Sequence, residues 1–578
     1  MNTGNPITDH LDLWTTAVTS KNGNGRGNNG KPELTGIKKL RELILELAVR
    51  GKLVPQNPTD EPAATLLQKI TAEKARLVKE GKIKKPKPLP PVGEDEQPFV
   101  LPKGWEWVRL GDVTNYGVTE KAEPGETSPD TWVLELEDIE KESSKLLQKV
   151  FQRDRQFKSS KNKFIRGDVL YGKLRPYLDK VLIADASGVC TTEIMPIRAF
   201  TGLQSEYLRL SLKTPNFKNY ATNSTHGMNL PRLGTDKARL ALLALPPAPE
   251  QSRIVEKVDE LMALCDRLEQ QTSDQLAAHE TLVETLLDTL TRSADATELA
   301  ANWTRLQTHF DTLFTTESSI DRLKQTILQL AVMGRLVPQD PNEEPASALL
   351  KKIAAEKARL VKEGKIKKTK PLPEISEEEK PFALPDGWEW CRFTDIGELA
   401  RGKSKHRPRN DPALYIGGKT PLVQTGDVAR ADRKITTFTA LYNQAGVEQS
   451  KLWKAGTLCI TIAANIGDTG ILGFDACFPD SVVGFTPFDD RLKNEYFEYF
   501  LRTAKKNLEE FAPSTAQKNI NLEVLQNVLV PLPPARELVR IVEKTDKLMG
   551  LCDQFKASLS QACQTQHHLT GATMAQIT

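Results

Sequence analysis

The eight residues Gly397–Ser404, GELARGKS, match the G-x-x-x-x-G-K-[ST] spacing of a phosphate-binding loop. That chemistry needs a strand before the loop and a helix after it, so that backbone N–H groups and the lysine cradle phosphate. Here WCRFTDI precedes the segment and KHRPRNDP follows, with Pro408 and Pro412 placed where a helix would have to run. Proline inside a helix removes a donor and clashes with the preceding turn. The segment therefore reads as a basic, extended loop. Arg401, Lys403, Lys405, Arg407 and Arg409 alternate along it, a pattern suited to a phosphate backbone.

No other catalytic constellation is found. The N-P-P-[YF] signature of adenine methyltransferases is absent, as are a Gly-rich dinucleotide fingerprint and a carboxylate–lysine nuclease cluster. The seven histidines are dispersed, with His567 and His568 near the C-terminus. The seven cysteines form no C-x-x-C pair, so no zinc spacing exists. Cys265 and Cys552 sit in matching apolar contexts, LMALC and LMGLC, and are expected to be packing thiols. The expectation is a chain with no catalytic residue, no metal ligand and no cofactor site of its own. A stand-alone ATPase or nuclease, and a protein-only adaptor built on long helices, are the rival readings.

What the sequence does offer is side chains suited to DNA. Tyr171, Lys173, Arg175 and Tyr177 lie in YGKLRPY, which combines base-capable and phosphate-capable groups around a tight turn. Arginine can pair with guanine through two donors, and lysine neutralises phosphate. Ser224, Thr225, His226 and Asn229 form a polar loop, NSTHGMN. Thr515, Gln517, Lys518, Asn519 and Asn521 form an analogous one, STAQKNIN. Gln424 and Arg430 flank VQTGDVAR. Asn and Gln suit adenine.

The net charge of +3 hides a segregation. Residues 141–240 carry 19 Lys/Arg against 8 Asp/Glu, and residues 400–460 carry 11 against 4. Residues 250–300 carry 4 against 12. Phosphate binding by the basic stretches and protein contacts by the acidic one fit this distribution; plain solvated faces fit it too. Apolar content of 39% and charged content of 27% suit a soluble globular protein. With no signal peptide or apolar run of membrane-spanning length to be found, a cytoplasmic location is expected.

These residues are carried by a repeated scaffold. AEKARLVKEGKIKK occurs at Ala72–Lys85 and again, letter for letter, at Ala355–Lys368. LAVRGKLVPQ at Leu47–Gln56 matches LAVMGRLVPQ at Leu330–Gln339, and LPKGWEW at Leu101–Trp107 matches LPDGWEW at Leu384–Trp390. LPPAPEQSRIVEKVDELMALCD at Leu245–Asp266 matches LPPARELVRIVEKTDKLMGLCD at Leu532–Asp553. Between these blocks, residues 108–244 and 391–531 do not align. Two copies of one scaffold thus carry different inserts, and the second copy ends at Thr578 where the first continues past Thr291. Such circularity predicts adjacent termini and near-symmetric halves.

Helices are expected over Ile37–Val49, Ala64–Glu80, Gln251–Leu290 and Arg540–His567, with one short helix within residues 1–20. Lys21–Lys31 reads as a flexible linker and Lys82–Pro91 as an extended connector. In the inserts, Trp132–Leu136, Asp168–Tyr171, Leu458–Ile462 and Ser481–Thr486 are candidate strands. The long helices show coiled-coil-like stepping; forty helical residues span about 60 Å, enough to bridge successive turns of DNA, roughly 34 Å each.

On these repeated blocks the chain resembles the specificity subunit (HsdS) of type I restriction–modification systems, and the long region before LPKGWEW resembles the type IB subfamily. The resemblance covers essentially the whole chain. It implies an α+β fold with two mixed, strand-rich target-recognition domains separated by long, paired antiparallel conserved helices in a circular pseudo-two-fold repeat. The expected divisions are a helical region at 1–94, recognition domains at 95–248 and 376–534, a central helical region at 249–375 and a C-terminal helix at 535–578. It further implies that each recognition domain reads half of a bipartite, asymmetric duplex site. The helices would set the gap and dock two methyltransferase subunits, which restriction/translocase subunits join. S-adenosylmethionine, ATP and magnesium would belong to those partners, with none in this chain. Because the inserts vary, the resemblance assigns no individual base contact.

Overall fold

The computed structural model describes the chain apart from residues 1–10, 17–18, 21–31, 82, 84, 86, 228, 367–371, 464–465, 511–519 and 578. The linker expected at Lys21–Lys31 and parts of the connector at Lys82–Pro91 lie outside the described residues. The chain forms two compact units, Met1–Gln275 with Ala562–Thr578, and Leu276–Gln561.

In the first unit, helix Thr35–Val49 buries Ile37, Leu40, Leu43, Ile44, Leu47 and Ala48, the three- and four-residue stepping of one apolar face. It stops at Gly51, whose φ is +67° and where a Cβ would lie 2.4 Å from Pro102 Cγ. Only glycine meets both demands. The repeated LAV-x-G and LP-x-GWEW blocks therefore touch. Gly334, at φ +70° and with a Cβ there lying 2.6 Å from Pro385 Cγ, makes the same contact in the second unit. Helix Ala63–Lys79 follows in the first unit, and Glu317–Val332 and Ala346–Lys362 are the corresponding pair in the second.

Each insert is closed at its base by two strands. Glu106–Arg109 pairs antiparallel with Leu242–Leu245, and Glu389–Arg392 pairs with Leu529–Leu532. Above the first pair stand a four-stranded sheet, in the order Lys121–Ala122, Lys161–Phe164, Gly188–Cys190, Trp132–Leu134, and an antiparallel three-stranded sheet, Ile194–Ile197, Val169–Gly172, Val181–Ile183. The second insert has a five-stranded sheet, in the order Gly397–Arg401, Val482–Pro487, Leu458–Thr461, Thr469–Leu472, Lys434–Ile435, and a four-stranded one. Both are mixed α+β domains.

A tryptophan seals each base to the helix that leaves it. Trp105 Nε1 donates to Glu250 Oε2 at 3.0 Å, and Trp388 Nε1 donates to Glu537 Oε2 at 3.1 Å. Buried Arg109 straps the proline connector down, donating to the Pro90, Pro91 and Leu240 carbonyls and pairing with Glu96. Arg392 does likewise to the Pro373 and Asn527 carbonyls and Glu379.

The long helices run Ala248–Arg292 and Ala535–Ile577, beyond the expected limits at both ends; each starts early because it begins directly after its proline hinge. The central helical region is not continuous. It breaks at Ser293–Asp295, where Asp295 caps helix Ala296–Thr308 by accepting from the Thr297 and Glu298 N–H groups at 2.8 Å. In the first unit Gln566 Nε2 donates to Thr16 Oγ1 and Lys39 Nζ to the His567 carbonyl, so the C-terminal helix packs beside the short helix Leu11–Thr16 and helix Thr35–Val49. In the second unit Leu548, Met549, Cys552 and Phe555 pack with Leu287, Ile320 and Ile327. Cys265 and Cys552 are both buried. Among the described residues no helix is long and apolar enough to cross a membrane.

Candidate nucleic-acid interface

Two loops singled out in the first insert come together. The turn after strand Val169–Gly172 and the hairpin Thr225–His226/Arg232–Leu233 are joined by backbone bonds. Leu233 N donates to the Lys173 carbonyl at 3.0 Å, and Arg175 N donates to the Pro231 carbonyl at 2.7 Å. On the resulting surface Arg175, Tyr177, His226 and Asn229 are exposed, and Lys173 is half-buried. Among the described residues no side chain bonds to Lys173 or Arg175. Nearby Arg232 is neutralised by Glu193, with both oxygens 3.0 Å from its Nε. Ser224 caps the helix Pro215–Asn223, and Thr225 Oγ1 donates to the Thr222 carbonyl at 2.9 Å; both are half-buried.

Tyr171 corrects the expectation. It is 3% exposed and packs edge-on against Phe217, with centroids 5.8 Å apart. Burial holds its phenol well above the ordinary range. The strand that carries it is buried on both faces, so Tyr171 supports the turn and does not face a groove.

In the second insert Gly397–Arg401 is an edge strand of the five-stranded sheet, paired antiparallel with Val482–Pro487. Its backbone N–H groups face a ladder and not a phosphate cradle, and no helix follows Ser404; the next turn is the 3-10 segment Pro412–Leu414. Beyond the strand, buried Gly402 and Ser404 alternate with exposed Arg401, Lys403 and Lys405. Gly402 lies where a Cβ would come within 2.2 Å of the Phe478 carbonyl oxygen, which fixes the segment against the sheet and turns the three cations outward. Arg407 and Arg409 differ from them. Arg407 Nη1 donates to the Ser404 and His406 carbonyls, and Arg409 donates to both Asp480 oxygens at 2.7 and 2.9 Å.

The remaining candidates are divided. Gln424 is exposed, with its backbone N–H bonded to Asp427 Oδ2. Arg430 Nη2 bonds the other oxygen of the buried Asp427 carboxylate at 2.5 Å, so a base would have to compete for it. Asn521 is a helix cap: its Oδ1 accepts from Val524 N at 2.9 Å, which occupies the acceptor expected to read adenine. Thr515, Gln517, Lys518 and Asn519 lie outside the described residues.

The structure also finds a likeness inside the inserts that alignment of 108–244 with 391–531 misses. Strand Leu458–Thr461 occupies the place of Val169–Gly172, central in an antiparallel trio. Ile520 N donates to the Ile462 carbonyl at 3.0 Å, as Leu233 N does to Lys173. Ile462 thus stands where Lys173 stands in the first insert, and sequence reading passed over the stretch it opens because residues 462–468 carry no Lys or Arg. One faint signal was present. Glu206-Tyr207 and Glu495-Tyr496 are matching pairs, and each tyrosine hydroxyl donates to a base-strand carbonyl, Ala244 at 2.8 Å and Pro531 at 2.6 Å.

No group of three or more His, Cys, Asp or Glu among the described residues could hold a metal ion. Comparison with known proteins now bears on the same surfaces. Residues 385–562 match the model of the type I restriction modification DNA specificity domain. The specificity subunit of the type I restriction enzyme EcoAI from Escherichia coli is 41% identical, covering 98% of each chain. The EcoEI specificity subunit, also from Escherichia coli, is 40% identical over 98% of each chain. A chain from a solved structure of the assembly and conformational transition of a type I restriction–modification system aligns with a TM-score of 0.52 and 21% identity, covering 83% of this chain and 99% of that one; this likeness is one of fold. Its scaffold blocks, its paired inserts and near full-length relatives place this chain in the family of type I restriction enzyme specificity subunits.

Proposed function

We propose that the chain is the non-catalytic DNA reader and assembly platform of a type I restriction–modification complex. Each insert reads one half of a bipartite, asymmetric duplex site. The long helices pair antiparallel in a circular, pseudo-two-fold arrangement, set the unread gap and dock two methyltransferase subunits, and restriction/translocase subunits join that core. S-adenosylmethionine, ATP and magnesium act on those partners. The observation that carries this reading is one frame bearing two different loop sets. The base strand pair, the Trp–Glu bond and the tyrosine–carbonyl bond recur at both inserts, while the exposed side chains above them differ.

The direct test is to map modified adenines across the host genome with and without this gene. Loss of methylation at one split motif supports the role and reveals both half-sites; a chain that co-purifies with its methyltransferase yet alters no motif and binds no duplex defeats it. The basic segment that leaves the edge strand supplies a second test. Lys403→Ala is expected to weaken binding about equally for all duplex sequences and to lower the slope of log affinity against log salt by about 1. Fluorescence anisotropy over a salt series measures this. ATP hydrolysis by the purified chain, abolished by the same substitution, would restore the ATPase reading.

A further inference from the structure

Among the described residues five that are not glycine have positive φ, and four of them converge on one turn of the first insert: Glu142 at +65°, Ser144 at +59°, Arg175 at +51° and Asp179 at +51°. Left-handed backbone is disfavoured for residues with a Cβ and persists where the surroundings over-determine it. Here they do. Arg175 and Asp179 bracket the 3-10 segment Pro176–Leu178. Beneath it lies a knot of buried polar groups. Ser144 Oγ donates to the Asp179 carbonyl at 2.7 Å and accepts from Val181 N at 3.1 Å. Lys213 Nζ donates to Ser144 Oγ at 2.7 Å, to the Glu142 carbonyl at 2.8 Å and to Asp179 Oδ2 at 3.2 Å. Glu142 N in turn donates to the Leu178 carbonyl at 2.9 Å.

So dense an anchorage is out of proportion to holding a surface turn. On its outer side Arg175 is exposed and Tyr177 is 47% exposed. We infer that this turn is a preorganised base-reading head, with Arg175 the residue that reads a guanine in the first insert's half-site and Lys213, Ser144 and Asp179 its positioning residues. The inference rests on the DNA-reading role proposed above. Guanine presents O6 and N7 as paired acceptors in the major groove, which the arginine fork matches and the point charge of lysine does not. A backbone fixed in advance leaves only the side chain to be ordered on binding. Tyr177, two residues on, offers an apolar ring beside that contact. The corresponding stretch of sequence in the second insert, residues 462–468, has seven residues where Lys173–Lys180 has eight, and holds no Lys or Arg. A guanine-reading arginine at this turn is therefore a feature of the first insert alone.

The test uses the full chain with its methyltransferase partners, and duplexes in which each base pair of the mapped site is replaced in turn. Arg175→Lys and Arg175→Ala are expected to lower discrimination at one G·C pair about 10- to 100-fold and to leave the other half-site unchanged, with Arg175→Lys keeping the wild-type salt slope. Lys213→Met is expected to reduce discrimination at that same pair while the salt slope holds; a merely structural role would lower affinity for every duplex alike. Equal weakening for all sequences in the Arg175 variants would make Arg175 a phosphate contact and overturn the inference, as would an unchanged pattern of discrimination. A wild-type complex that binds no duplex would defeat the underlying DNA-reading role, and the head with it, before any variant is compared.

Discussion

Trp105→Ala is expected to lower the stability of the first unit by about 3–5 kcal/mol, the range for truncating a buried large aromatic side chain. Trp105 is 5% exposed and packs in the core that joins helix Thr35–Val49, the base strands and the start of helix Ala248–Arg292. Its indole N–H is the bond that Glu250 Oε2 accepts; Glu250 Oε1 is already buried without a partner. The substitution therefore leaves a cavity and an orphaned carboxylate together. Urea unfolding, with hydrogen exchange followed in peptides from residues 35–110, measures the loss and its location.

The same site has a pH signature. Burial raises the Glu250 carboxyl above its ordinary 4.5, against the pull of Trp105 and Arg253. The unfolded chain then releases this proton before the folded one does. Its contribution is therefore fully present below the unfolded value and is lost as pH rises through the folded value. Glu250→Gln, which retains the acceptor for Trp105, removes that loss. The stability of the glutamine variant relative to wild type should rise as pH climbs above 4.5, and a gap constant with pH would refute the assignment. Glu537, raised in the same direction by burial beside Trp388 and Gln339, predicts the same behaviour in the second unit.

Exchange of the first insert for that of another family member is expected to replace one half-site completely and leave the other intact, a change of about a thousandfold or more in preference between the two sites. The physical condition is the strand pair at the insert's base. Exchanging residues 108–244 would divide the pair Trp107↔Ala244 and make each base strand a mixture of two proteins. Junctions directly before residue 106 and directly after residue 245 move all four pairs together with the insert and leave the Trp105–Glu250 bond and the Gly51–Pro102 contact on the recipient scaffold. Methylome mapping of the hybrid decides the outcome; alteration of both half-sites would mean that the inserts do not read independently.

The sequence by itself determined the scaffold. Repeated blocks with strong helical stepping and the glycines and prolines that end them are local signals, so helices Thr35–Val49 and Ala63–Lys79 and the hinges before the long helices were legible to within a few residues. The rejection of a phosphate loop at Gly397–Ser404 was legible too, because Pro408 acts through neighbours a few residues away. The candidate interface was legible only by composition. Lys173, Arg175, Lys403 and Lys405 announce themselves as cations, but which faces outward depends on partners distant in the chain. Asp480 takes Arg409, Asp427 takes Arg430, and Phe217, 46 residues beyond Tyr171, takes that ring into the core. Ile462 escaped notice because nothing in the residue types around it marks it; only the bond from Ile520 places it. Local periodicity specifies elements, whereas the candidate surfaces arise from long-range strand pairing and side-chain competition for charge, and those the tertiary structure alone decided.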